Sequence, residues 1–232
     1  MIDTHCHLLP GVDDGARSIG DAVAMARQFV ESGVAAVVCT PHLSTLFRAS
    51  TDQVTYELER IRRALADLGV ELDLHLGTEF STTRVRSATP AELAERAIGG
   101  RYVVFELVAR TSRAEALAAL EAIDAAGLDP VVAHPERAAA VQRDPSLVDE
   151  LRSGGALIQL VGPSLLGRAS DVVRGTAWRL LESGLVDLVG SDAHRPHGAS
   201  IRLDLLADLI AQRTDRRTAE GLLTEAPRRL LR

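Results

Sequence analysis

Along this 232-residue chain, short apolar runs of strand length alternate with longer segments of helical spacing, and four of the runs end in a compact histidine motif. Asp3-Thr4-His5-Cys6-His7 follows Met1-Ile2, and Thr40-Pro41-His42 follows Val34 to Val38. His134-Pro135-Glu136-Arg137 follows Pro130 to Ala133, and Ser191-Asp192-Ala193-His194 follows Val186 to Val189. Strand–helix alternation favours parallel pairing with right-handed crossovers. A parallel barrel gathers the C-terminal ends of its strands on one face. Five of the seven histidines would then share one mouth.

Strands are expected at 1–4, 34–39, 71–76, 102–107, 130–133, 156–160 and 186–190. Helices are expected at 18–32, 52–68, 90–97, 113–126, 145–153, 170–183, 200–211 and 216–231. Ala22, Met25, Ala26, Phe29 and Val30 follow helical spacing, as do Leu58, Ile61, Leu65 and Leu68. Thr89-Pro90 reads as an N-cap with proline in the first turn, and Gly33, Gly69, Gly127 and Gly184 stand where helix C-caps belong. Seven strands fit an irregular α/β barrel better than a doubly wound sheet, and no Gly-x-Gly-x-x-Gly follows the first strand. No linker, repeat or low-complexity segment interrupts the pattern, so residues 1–232 read as one domain.

Composition removes several chemistries. All 26 basic residues are arginine, which excludes Schiff-base lysines, a phosphate-loop lysine and a carboxylated lysine bridging two metals. A cysteine-dependent phosphatase needs an arginine six residues after its nucleophile, and Cys6 and Cys39 are followed there by Val12 and Thr45. No Asp-x-Asp-x-Thr/Val follows a strand, which argues against an aspartyl-phosphate route. A net charge of -6 disfavours a nucleic-acid partner. No apolar run approaches the ~20 residues of a membrane span. Strand-like sequence begins at Ile2, leaving no room for a signal peptide, and two cysteines imply no disulfide framework. A cytoplasmic protein is expected.

The polar residues at the strand ends read as metal ligands. His5 and His7 are two apart on a strand and face the same side, with Cys6 turned to the helix layer. Glu79 follows one apolar run, and Glu106 ends another, where an unpaired carboxylate is costly. Asp13-Asp14 lies in a glycine-flanked turn. Five histidines and at least four acids exceed one tetrahedral site, so two or three ions are expected, and mixed imidazole and carboxylate donors suit manganese, zinc or iron. His75 alternates outward and reads as structural, while His197 lies in a loop with no assigned role.

In this order, the motifs resemble the polymerase-and-histidinol-phosphatase (PHP) superfamily. Gly11-Val12-Asp13-Asp14-Gly15 and His134-Pro135-Glu136-Arg137 are similar to those of the manganese-dependent protein-tyrosine phosphatases of bacterial capsular and exopolysaccharide operons. The resemblance runs from Met1 to Glu225-Ala226-Pro227. It implies a distorted seven-stranded (β/α)7 TIM-like barrel with a trinuclear centre. His5, His7, Glu79 and Asp192 would hold one ion. Glu106 and His134 would hold a second, sharing Glu79. Asp14, or Asp13 in its place, would hold the third with His42 and His194. Arg137 would clamp the phosphate, with Arg195 or Arg202 as a second contact, so that Arg137, Arg195 and Asp14 form the candidate catalytic set. Leu43 stands where the family usually has a second histidine, and the loop Ser44 to Ser50 lacks its usual glycine and tyrosine. These departures bear on substrate recognition more than on hydrolysis.

The expected reaction is hydrolysis of a phosphomonoester by hydroxide generated at two ions, without a covalent phosphoenzyme. The resemblance implies as partner a bacterial tyrosine kinase with a phosphorylated tyrosine-rich tail; self-association as a homo-oligomer is left open by the sequence. Histidinol phosphatase, or another small phosphoesterase, is the alternative within the same chemistry. A TatD-type nuclease lacks the Ser-Asp-Ala-His motif and the Asp-Asp turn, and a non-catalytic scaffold would not keep every ligand position filled.

Overall fold

The computed structural model describes residues 1–108, 110–196 and 201–232. Its described strands are β1 (Ile2–Cys6), β2 (Ala36–Cys39), β3 (His42–Leu43), β4 (Asp73–Leu76), β5 (Glu79–Ser81), β6 (Tyr102–Glu106), β7 (Asp129–Ala133), β8 (Leu157–Val161) and β9 (Leu188–Gly190). The helices are α1 (Ile19–Glu31), α2 (Thr51–Asp67), α3 (Thr82–Ser87), α4 (Pro90–Glu95), α5 (Arg113–Ala125), α6 (Ala139–Arg143), α7 (Ser146–Ser153), α8 (Gly162–Leu165), α9 (Asp171–Glu182), α10 (Leu203–Arg213), α11 (Arg216–Glu220) and α12 (Ala226–Leu230).

Every strand pair is parallel, in two sheets of order β1-β2-β4 and β3-β5-β6-β7-β8-β9. The nine strands trace seven staves, because two staves are broken. β2 and β3 are halves of one, interrupted at Thr40-Pro41, where proline has no N–H to give the ladder. β4 and β5 are halves of the next, interrupted at Gly77-Thr78. Hydrogen bonds bridge these breaks, Gly77 N to Cys39 O at 2.9 Å and Glu79 N to Pro41 O at 3.1 Å. On the other side the sheets meet at β1 and the end of β9. There Asp192 N donates to His5 O at 2.8 Å and His7 N to Ala193 O at 3.0 Å. The result is a distorted α/β barrel, as expected, with the distortion at two broken staves and one loop-mediated seam.

Side-chain alternation divides the core. Val37, Cys39, Phe80, Val103, Phe105 and Val132 face the helices together with Met25, Phe29 and Ile61. Val38, Val104, Val131, Ala133 and Leu188 face inward and pack with Ile98 and Leu230 at the N-terminal end of the barrel. Cys6 belongs to the helix-facing layer, as read from its place between two histidines. The opposite end of the lumen is polar, holding buried His5, Glu79 and Gln159.

The helices follow local sequence closely. Ser18, Ser50 and Thr89 accept the backbone N–H three residues on, Pro90 takes the first turn of α4, and Ser112 with Glu115 forms a capping box. Two residues of the helical-spacing pattern lie outside the core: Val30 is exposed on α1, and Leu68 is exposed at the C-cap of α2. The helix expected over 216–231 is also interrupted. Pro227 cannot donate to the ladder, and the chain passes through a π-turn at Gly221–Glu225 between α11 and α12. The helix expected from 200 begins at Leu203 among the described residues, and His197 lies outside them.

Candidate metal centre

Parallel register sets the polar ends side by side. His42 pairs with Glu79, Ser81 with Glu106, Glu106 with Ala133 just before His134, and Ala133 with Gln159. Glu79, fully buried, lies where the side chains meet. Its Oε2 is 3.2 Å from His5 Nε2, 3.4 Å from His7 Nε2 and 3.0 Å from His42 Nδ1, and its Oε1 is 2.7 Å from His134 Nε2. Asp192 Oδ1 lies 3.3 Å from His7 Nε2 and 3.7 Å from His5 Nε2. Asp14 Oδ1 lies 3.4 Å from His194 Nε2 and 3.6 Å from His42 Nε2.

Three overlapping donor groups result: His5, His7 and Asp192; His5, Glu79 and His134; and His7, Asp14, His42 and His194. Two donors on one ion at about 2.0–2.2 Å stand roughly 3–3.6 Å apart, by the angle between the bonds. Most of the separations above fall close to that range. Among the described residues Glu79 Oε2 is buried without a hydrogen-bond partner, as suits a carboxylate oxygen directed at cations. The donors therefore fit divalent ions.

Second contacts fix which nitrogen His5 and His7 present. Gln159 Oε1 accepts from His5 Nδ1 at 2.7 Å while its Nε2 donates to Thr4 Oγ1 at 2.8 Å, leaving His5 Nε2 for the centre. Asp13 Oδ2 engages His7 Nδ1 at 2.7 Å and also accepts from His42 N at 3.0 Å, and Asp13 Oδ1 accepts from Gly15 N at 2.9 Å. Asp13 is thus engaged in holding His7 and the turn, while Asp14 faces His42 and His194. His194 Nδ1 lies 2.9 Å from Asp192 O.

Charge is concentrated here. Burial would raise the Glu79 pKa, yet His5 and His134 hold it well below the usual carboxylate range. Asp192 is likewise lowered against desolvation by His7 and His5. His7 is raised well above a normal imidazole, against burial, by its bonds to Asp13, Asp192 and Glu79. Glu106 is raised by burial and by Glu79. It borders the centre without joining the three donor groups among the described residues.

Among the described residues, positive-φ strain outside glycine is confined to the same place. His134 (φ 34°) and Asp192 (φ 50°) are the non-glycine residues with positive φ among those described. Such conformations cost about 1–3 kcal/mol and cluster at functional sites. Gly15 is required by close approach, since a Cβ there would lie 2.1 Å from His7 O.

The arginines differ. Arg137, in the 3₁₀ turn Pro135–Arg137, places Nη1 2.7 Å from Asp192 Oδ2. Arg195 is exposed and donates to the carbonyls of Asp14, Gly15 and His194, strapping the acidic turn. Arg202 pairs with Asp204, at 2.8 and 2.5 Å, and does not contact the cluster. His75 pairs with Asp73 at 2.9 Å away from the lumen.

Gln159 was not among the expected site residues, although a lone amide within Leu157–Val161 was its signal. Replacing it with Leu is expected to weaken metal retention about 10–100-fold, the range for outer-shell partners. Competition with a chelator measures this, and unchanged retention would remove the orienting role.

The chain matches a family described as capsular polysaccharide synthesis, CpsB/CapC, over residues 1–232. It is 30% identical over 199 residues to the tyrosine-protein phosphatase YwqE of Bacillus subtilis (strain 168), covering 84% of this chain and 77% of that protein. It is 25% identical to the tyrosine-protein phosphatase CpsB of Streptococcus pneumoniae, covering 100% and 98%. A crystal structure from work on these two proteins, described as unique metal-dependent tyrosine phosphatases, superimposes with a TM-score of 0.84 and 27% identity, covering 100% of this chain and 94% of that one. A D-hydantoinase, 12% identical with a TM-score of 0.57 over 97% of this chain and 69% of that one, shares the fold.

Proposed function

Because the chain belongs to the CpsB/CapC family of capsular polysaccharide synthesis, we infer that it is a metal-dependent tyrosine phosphatase. The observation that carries this reading is the three donor groups linked through His5 and His7, with Glu79 touching a histidine of each and Arg137 alongside. Relatives on the tyrosine phosphatase side support it, and nothing among them supports the histidinol phosphatase alternative.

His5, His7, Glu79 and Asp192 would hold one ion, His134 a second with Glu79 and Glu106, and Asp14, His42 and His194 a third. Bound there, divalent ions supply Lewis-acid charge and lower the pKa of water. The protein supplies position. Gln159 and Asp13 hold two imidazoles in a single tautomer, and Asp192 pins Arg137 at the centre's edge. A guanidinium has five N–H donors, of which this contact uses one, leaving others for phosphate oxygens. Charge growing on those oxygens meets a cation already in place, so little reorganisation is needed. A phenolate leaving group, of parent pKa about 10, needs modest protonation.

Manganese is the proposed metal, with zinc or iron able to use the same donors. The proposed substrate is a protein phosphotyrosine, on the tail of a bacterial tyrosine kinase. The cytoplasm is the proposed place of action; among the described residues no helix is long and apolar enough to cross a membrane.

Arg137→Ala is expected to lower kcat/KM on a phosphotyrosine peptide by about 10²–10³, as for loss of one oxyanion donor. Near-normal kcat/KM would remove the clamp. The reading as a whole is tested by stripping metal and restoring manganese, zinc or iron singly, with the peptide and histidinol phosphate assayed in parallel. Metal-dependent preference for the peptide is expected, and preference for histidinol phosphate would overturn the substrate.

A further inference from the structure

The loop after β3 separates two cavities. One opens on His42, Phe47, Glu106 and Val108 beside the metal centre. The other is lined by Arg48, Arg84 and Arg96. Ser44 and Thr45 line both, so the two adjoin across a short stretch of chain. The carboxylate lining the second cavity, Glu92, is engaged by Arg84. Arg48 donates Nε to Thr45 O at 2.9 Å, and Arg96, only 8% exposed, donates Nη2 to Ala49 O at 2.8 Å. Neither has a carboxylate within 4.0 Å among the described residues. Glu92 and Glu95 act on Arg96 from farther away, and burial lowers its pKa despite them.

A largely buried cation without a counter-ion is costly. Planar guanidinium groups suit carboxylate or phosphate oxygens. We propose that this arginine-lined cavity is a subsite for an anionic group on the substrate peptide, a carboxylate or a second phosphate close in sequence to the phosphotyrosine. This rests on the phosphatase reading, which puts the phosphotyrosine ring in the cavity at His42. A residue two or three positions away lies roughly 7–11 Å along an extended peptide, a reach suited to an adjoining cavity. The subsite is built on the loop Ser44 to Ser50, where the sequence leaves its family's usual pattern.

The test is binding of phosphonate analogues of a phosphotyrosine peptide to the manganese-loaded protein, read by fluorescence anisotropy. The neighbouring positions carry Glu, a second phosphonate, Ala or Arg. Acidic flanks are expected to bind roughly fivefold more tightly than alanine, at the upper end for exposed ion pairs, and the gap should shrink as salt rises. Tighter binding of the Glu or of the phosphonate peptide identifies the anion's source. Arg48 is exposed, and R48E is expected to favour the Arg-flanked peptide instead. Equal affinity for all flanks in the wild type, or an acidic preference kept by R48E, would overturn the subsite. The salt dependence of the wild type is a second readout that needs no variant. Hydrolysis of p-nitrophenyl phosphate, which has no flanking residue, reports the phosphatase reading separately. Its absence with the flank preference intact would remove that reading and leave the subsite standing.

Discussion

Glu79→Gln is expected to lower phosphatase activity by more than about 10³-fold, or ~4 kcal/mol of transition-state stabilisation. That exceeds the ~10–100-fold typical of outer-shell partners. The substitution keeps shape and volume, so the loss isolates charge. One oxygen of Glu79 lies within 3.0–3.4 Å of three imidazoles, and the other 2.7 Å from a fourth. An amide offers one acceptor where a carboxylate offers two, and its NH₂ group would face ring nitrogens. The variant should also retain less than the wild type's complement of manganese by elemental analysis. Full metal content with full activity would show that Glu79 is not the shared ligand, and full metal content with lost activity would place its role in the reaction alone.

Gly190→Ala is expected to damage both stability and the site. A Cβ at Gly190 would lie 2.6 Å from His5 Cβ and 3.2 Å from His5 N. Neither neighbour is the flexible end of a side chain, so β9 and β1 must separate. The seam there is closely held. Ser191 N donates to Asp3 Oδ1 at 2.8 Å and Ser191 Oγ to Asp3 Oδ2 at 2.5 Å, while Asp192 N donates to His5 O at 2.8 Å. Overpacking of this kind costs roughly 1–3 kcal/mol, and for a chain of this size each kcal/mol moves Tm by about 2–4 °C. Activity should fall further than stability, because a shift of about 1 Å at a reacting group can cost ~10² in rate. Calorimetry with a parallel assay reads both. An unchanged Tm with full activity would show the seam to be slack.

Much of the fold was legible because its signals are local. Alternating apolar runs, serine and threonine caps and the glycines after helices each depend on a few neighbouring residues, and they located the staves and most helices. The breaks in two staves were not legible, because Thr40-Pro41-His42 and Glu79 read as the ends of their strands until β3 and β5 are seen to pair with each other. The histidine motifs were legible as a group, since a parallel barrel brings strand ends to one face whatever its detailed register.

The sequence by itself determined which residues could bind metal and which end of the barrel they would share. Only the tertiary structure decided how they divide the work. Asp13 and Asp14 are neighbours of equal chemistry, and the choice between them depends on the backbone N–H groups of Gly15 and His42 and on His7, which occupy Asp13 and leave Asp14 to the centre. The resemblance left Arg195 or Arg202 as a second phosphate contact; in the structure Arg195 Nη1 lies on the carbonyls of a turn some 180 positions earlier in the chain, and Arg202 pairs with Asp204. Gln159 gains its role from His5, 154 residues away. Local propensity follows from adjacent residues. The partner of a buried polar atom follows from register between strands far apart in sequence, and that is fixed when the whole barrel packs.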